Sequence, residues 1–225
     1  MTRQPTADKM DLNPFFLTAM GSKAEAKKQI LLKAAMKVFA AKGYHYATVE
    51  DIAAEAGAAK GSVHAYFESK LDVLLTLLLM FWKTINTMNA EKLAGEQDPL
   101  AALKAVFATF RELLLKSGDS LCWGRILQEG LPQLHTLKSR DLRNKQLAIA
   151  RQQRRLVHTI DSIIRAGQQQ GRICTTVRHD VLRQMLGGAS QLLIYGLFMK
   201  SGTGIGYSAQ DIQASFNQLI DAFAL

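Results

Sequence analysis

The five histidines, at positions 45, 64, 135, 158 and 179, have the widest chemical reach of any side chains here, yet their spacing fits no metal-ligand motif. Cys122 and Cys174 lack the C-x-x-C spacing of metal and redox sites, which reads as an incidental or structural role in a reducing cytoplasm. No nucleophile elbow occurs, and no paired carboxylates stand inside a helical stretch. Residues 202–206 read Gly-Thr-Gly-Ile-Gly, but no strand precedes them and the third glycine comes one residue early for a dinucleotide-binding turn. They read as an interhelical loop. The sequence thus argues against an enzyme, with no catalytic residues, no metal and no cofactor expected.

What remains is a run of donors and small residues between 48 and 70. Thr48, Tyr66 and Lys70 have the groups to hold phosphates, and Lys23, Lys27 and Lys28 can add contacts from the flank. Ala59, Lys60, Ser62, His64 and Ala65 have the chemistry of base-edge readers: a lysine donates to guanine, a histidine meets an acceptor, and an alanine methyl meets the methyl of thymine. Gly61 lets its segment approach a sugar-phosphate surface closely.

The elements needed to position these residues are legible. Apolar residues three and four apart give a first helix over 22–42, stopped at Gly43. Thr48 with Asp51 opens a second helix that Gly57 ends, and a short third helix covers about 59–66. Val49, Ile52, Ala53, Ala56 and Val63 then face inward, leaving Lys60, Ser62, His64 and Tyr66 outside. This is a helix-turn-helix, in which the second helix of the pair enters the major groove. Such shapes also occur in purely structural bundles, so a helical adaptor that binds only protein is the competing reading.

Further helices are expected over 69–93, 98–118, 120–129, 139–170, 180–200 and 208–223, and no segment alternates as a strand would. The fold class is therefore all-α with about nine helices. It divides into a disordered arm over 1–21, a helix-turn-helix head over 22–68, and a larger helical body over 69–225. The apolar runs 73–82 and 185–199 fall short of the roughly 20 residues that span a bilayer, and residues 13–20 are too few for a signal-peptide core. No membrane partner is expected.

Residues 22–75 resemble the TetR family. Its signature places Ile-Leu-x-Ala-Ala-x-x-x-Phe-x-x-x-Gly before a Thr-opened helix with Ile-Ala-x-x-Ala-Gly. Lys-Gly-x-hydrophobic-x-x-Tyr-Phe-x-x-Lys follows. This chain has Ile30 to Gly43, Thr48 to Gly57, then Lys60, Gly61, Val63, Tyr66, Phe67 and Lys70 in the same order. It departs at Ala58-Ala59, where Val-Ser or Val-Thr is common, and at His64 and Ala65, so operator sequence does not carry over. The resemblance implies a cytoplasmic, homodimeric repressor that reads a double-stranded operator.

The resemblance also implies that the last two helices pair with their copies. Met185, Ala189, Leu192 and Gly196 on one, and Ile212, Phe216, Leu219 and Phe223 on the other, are the expected interface, the competing reading being that these stripes face the chain's own core. An inducer cavity is expected between the fourth and seventh helices, at Phe81, Trp82, Phe107, Phe110 and Trp123, the competing reading being that these residues are core. Residues 121–172 are loosely similar to the sensor part of fatty-acid-responsive members, which points to an apolar or amphipathic inducer such as an acyl-CoA.

Charge distribution supplies the last observation. The formal charge is +9, but residues 22–75 hold eight Lys/Arg against six Asp/Glu, whereas 76–225 hold 18 against 11. The head carries only +2 and the remainder +7. Between 138 and 155 seven cations stand against one acid, with Arg151, Arg155 and His158 on one face. The run reads either as a solvated helix surface or as an anchor for an anionic inducer head at Arg151 and Arg155.

Overall fold

The computed structural model describes residues 22–115, 120–130, 132–133, 140–203 and 209–225; for 114–115, 120–122, 192–203 and 209 it gives the backbone course alone. The arm expected over 1–21 lies outside the described residues. Among the described residues the fold is all-helical: α1 (Lys23–Tyr46), α2 (Val49–Glu55), α3 (Lys60–His64), α4 (Lys70–Lys92), α5 (Pro99–Leu115), α6 (Ser120–Gly130), α7 (Arg140–Gln169), α8 (His179–Thr203) and α9 (Ala209–Asp221).

Side-chain caps set the starts of the N-terminal helices. Ser22 Oγ accepts from the Glu25 N–H, and Ser69 Oγ from the Asp72 N–H, each at 3.2 Å. At α2 the cap is reciprocal: Thr48 Oγ1 accepts from Asp51 N (3.1 Å) while Asp51 Oδ2 accepts from Thr48 N (3.0 Å). The apolar face of the head is formed by Leu31, Ala35, Phe39, Ile52, Val63 and Phe67, all buried, while Ile30 faces outward.

Helix α4 carries this core into the body. By length and composition alone it would pass for a membrane span. Within the fold it is the central helix, with Val73, Leu74, Leu75, Leu77, Leu78, Phe81 and Ile85 all buried. Helices α5, α6 and α7 pack around it, and α8 and α9 close the far side against α7 and α5. The chain end is tied down as well, since Cys174 N donates to Phe223 O (2.9 Å) and Leu225 N to Arg172 O (3.2 Å).

Two expectations about the last helices change. The stripe Ile212, Phe216, Leu219 and Phe223 packs inward: Ile212 and Phe216 are buried, and the Phe216 ring centroid lies 4.1 Å from that of Phe107 on α5. That face of α9 belongs to the chain's own core, because its large apolar surface is removed from water without a second copy. On α8, Met185 is 49% exposed and Ala189 is half-buried, whereas the side chains of Leu192 and Gly196 lie outside the described residues. The 202–206 segment is also not all loop, since α8 runs through Thr203.

Candidate nucleic-acid interface and ligand cavity

The outward edge of α3 is built by elimination. Val63 enters the core, so the neighbouring residues turn away: Ala59, Lys60, Gly61, His64 and Ala65 are exposed, and Ser62 and Tyr66 are half-buried. A Cβ added at Gly61 would meet nothing within 4 Å. The chain's own packing therefore gives no steric reason for a glycine there. Lys60 is ion-paired across the turn with Glu50 and holds that carboxyl below its usual range. Lys23 and Lys27 are exposed at the start of α1, and Thr48 is exposed at its cap, its backbone N–H already donated to Asp51.

Lys70 does something other than hold phosphate. Its ammonium donates to Tyr44 O (2.7 Å), His45 O (3.2 Å) and Ala47 O (2.7 Å), and sits 4.6 Å from the Tyr44 ring centroid. An ammonium has three protons, and all three are engaged. Burial pushes its pKa below the usual lysine value. Lys70 is corrected from a phosphate contact to a clamp on the turn between α1 and α2.

The head is joined to the body by polar contacts that sequence reasoning missed. Gly43 interrupts α1 at φ 80°, ψ 160°, a region open essentially to glycine. Helix α6 docks on that break. Arg125 Nη1 donates to Ala40 O (2.9 Å) and Ala41 O (3.3 Å), its Nε donates to Glu129 Oε1 (2.9 Å), and Glu129 Oε2 accepts from Tyr44 N (2.6 Å). Burial alone would raise the Glu129 pKa; the Arg125 guanidinium and the Tyr44 N–H outweigh it and hold the carboxyl below its usual value. A second junction lies at the start of α4. The buried Asp72 carboxylate accepts from Glu68 N (3.0 Å) and pairs with Lys145 of α7, which also reaches Thr76 Oγ1 (3.0 Å).

A cavity of about 630 Å³ lies between α4, α5, α6, α7 and α8. Phe81, Trp82, Phe107 and Phe110 line it, as do Leu127, Leu156 and Ile160, with Arg183 and Gln184 supplied by α8. Trp123 does not reach it. That ring is fully buried behind Phe81, with centroids 5.1 Å apart, and belongs to the core. Arg151 and Arg155 are also absent from the wall, because α7 turns Leu156 and Ile160 inward and these arginines outward. The cavity's cation is Arg183, whose Nε donates to Asp161 at 2.8 Å. The Trp82 indole N–H is buried without a hydrogen-bond partner among the described residues.

Residues 31–77 match the family described as bacterial regulatory proteins, tetR family. The head is a TetR-family domain. Among curated relatives the chain is 32% identical over 89 residues to the uncharacterized HTH-type transcriptional regulator YuxN of Bacillus subtilis, an alignment covering 39% of this chain and 31% of that protein. It is 43% identical over 47 residues to the fatty acid metabolism regulator protein of the same bacterium, covering 21% and 24%. The alignments span about a third or less of these relatives.

Solved structures extend the likeness beyond the TetR head. The fatty acid degradation regulator FadR from Bacillus halodurans superposes with a TM-score of 0.72 at 23% identity, covering 90% of this chain and 96% of that one. FadR from Bacillus subtilis, solved in complex with stearoyl-CoA, gives 0.67 at 23% identity, covering 87% and 97%. A transcriptional regulator from Saccharomonospora viridis in complex with choline gives 0.72 at 22%, covering 90% and 98%. At such identities the likeness concerns the fold, which is that of TetR-type regulators: a helix-turn-helix head on a larger helical body.

Proposed function

We propose that this chain is a ligand-released transcriptional repressor that acts in the cytoplasm as a homodimer on a pseudo-palindromic operator, with the DNA-binding head over 22–68 and the sensing body over 69–225. The observation that carries the reading is the outward edge of α3. Lys60, Ser62, His64 and Ala65 stand beside a glycine whose flank is open, on a helix anchored in the core by Val63.

The cavity supports the sensing half. Its apolar walls suit an apolar or amphipathic inducer, and the unpartnered Trp82 N–H favours one with an acceptor oxygen, because making that bond removes the cost of a buried orphan donor. A long-chain acyl-CoA meets this description only with its phosphates outside the cavity. An inducer releases DNA only by binding better to the head spacing that DNA rejects. Both α4 and α6 have residues in the cavity wall and contacts with the head, so both are placed to pass the change on.

The test is genomic footprinting of the full chain, followed by titration of the bound operator with acyl-CoAs, free fatty acids and neutral aromatics. A symmetric footprint, released by one of these classes and shifted in preferred base by His64→Ala, is expected. Indifference to DNA sequence would leave the protein-binding adaptor as the better reading.

A further inference from the structure

The cationic run on α7 lies on the side of the helix away from the cavity. Taking about 100° per residue, positions 140, 143, 151, 154, 155, 158 and 165 fall within a strip about 120° wide and about 38 Å long. Every one of these residues is exposed. Six are arginines and the seventh is His158, while Lys145, the helix's lysine, is turned inward onto Asp72. Among the described residues none of Arg140, Arg151, Arg154 and Arg155 forms an ion pair. Of the two acids on α7, Asp161 is engaged by Arg183 and Asp141 lies off the strip.

We propose that this outer face of α7 is a sequence-independent binding surface for the phosphates of double-stranded DNA, separate from the recognition edge of α3. Three observations select this occupant. The excess charge of the chain lies outside the head, +7 of +9 over residues 76–225, and a strip whose one carboxylate, Asp161 at its edge, is already paired with Arg183 complements a polyanion. Arginine presents a planar fork that grips phosphate oxygens two at a time. The strip also starts at the right place, since the Lys145–Asp72 pair ties this end of α7 to the first turn of α4, just beyond α3. From there it extends over about the length of one duplex turn, roughly 34–36 Å. A membrane surface fits worse, because an interfacial helix needs a free apolar face and the one on α7 is buried in the core through Leu142, Ile149, Leu156, Ile160 and Ile164.

The inference concerns a different surface from the operator reading, and its test separates the two. The full chain is measured by fluorescence anisotropy on a random-sequence duplex of about 60 base pairs and on its footprinted operator, across a salt series. Three variants are compared: Arg151→Gln/Arg154→Gln/Arg155→Gln on the strip, Lys83→Gln/Arg172→Gln/Arg178→Gln scattered elsewhere, and Lys60→Glu/His64→Glu in the head. The strip variant is expected to keep its operator preference and thermal melting, since glutamine is nearly as good a helix former. Its affinity for random duplex should fall about tenfold, with a salt slope about 2–3 smaller, near 0.9 per lost phosphate contact. The scattered variant should keep the wild-type slope, and the head variant should lose operator preference while keeping strip-dependent binding.

An unchanged slope in the strip variant overturns the proposal, as does an equal loss in the scattered variant. It is also overturned if the strip variant loses only its response to coenzyme A with DNA binding intact, which would give the strip to a phosphate-bearing small molecule. If the wild type itself shows no operator preference, the head reading fails while the slope comparison still decides the strip.

Discussion

Two residues of the head bear on function in opposite ways. Gly61 sits inside a helix with open space where a Cβ would go, so Gly61→Ala should stabilise the fold by up to about 1 kcal/mol while weakening DNA binding through the added methyl group. Denaturant unfolding and operator titration on the same sample check this, and a variant that gains in both would remove the close-approach argument. Lys70 is the reverse case. Lys70→Met leaves three carbonyls of the α1–α2 turn without their donor, and should cost about 1–3 kcal/mol of stability. Its salt slope on DNA should equal that of the wild type, which a phosphate contact would forbid.

Among the elements, the contact of α6 with the end of α1 is the informative one. Glu129 has a folded pKa below its ordinary value, so it contributes stability above the usual carboxylate range, and that contribution is lost as pH falls through the depressed pKa. Acid should therefore loosen the head from α6, read as proteolysis near residues 40–47 that sets in below about pH 4. Glu129→Gln should reproduce part of this at neutral pH, with a loss of about 1–2 kcal/mol and a flatter acid limb of the stability curve. Gly43→Ala should be harsher. The added Cβ would lie 2.8 Å from Arg125 Nη2 and 3.0 Å from both Glu129 carboxylate oxygens, on a backbone that strains any other residue by about 1–3 kcal/mol.

For the whole molecule, the question is which faces are left for a second copy. The inward stripe of α9 is already occupied, so Phe216→Ala should unfold the body more readily, by about 3–5 kcal/mol, through loss of its packing on Phe107. The faces that stay open carry Val181, Met185 and Gly188 on α8, and Ala214, Ser215 and Gln218 on α9. If the dimer forms there, Met185→Glu should shift sedimentation from dimer to monomer while leaving melting of the monomer fold little changed. A dimer that survives Met185→Glu would place the interface elsewhere.

Local sequence determined the helices, their caps and the head. Thr48 with Asp51, Ser69 with Asp72, and the apolar spacing around Ile52 and Val63 act between neighbours three or four residues apart, where side-chain direction follows from helical geometry alone. Among the described residues the helix bounds accordingly match those expected to within about four residues. What sequence could not assign was the partner of a side chain across the fold. Lys70 reaches carbonyls 23 to 26 residues back, Arg125 and Glu129 reach the end of α1 about 85 residues back, and Lys145 reaches Asp72 across 73 residues. Likewise the apolar stripe of α9 looked the same whether it met a second copy or Phe107. Periodicity shows that a face is buried, and only the tertiary structure decides against what, because packing depends on which helices the folded chain brings side by side.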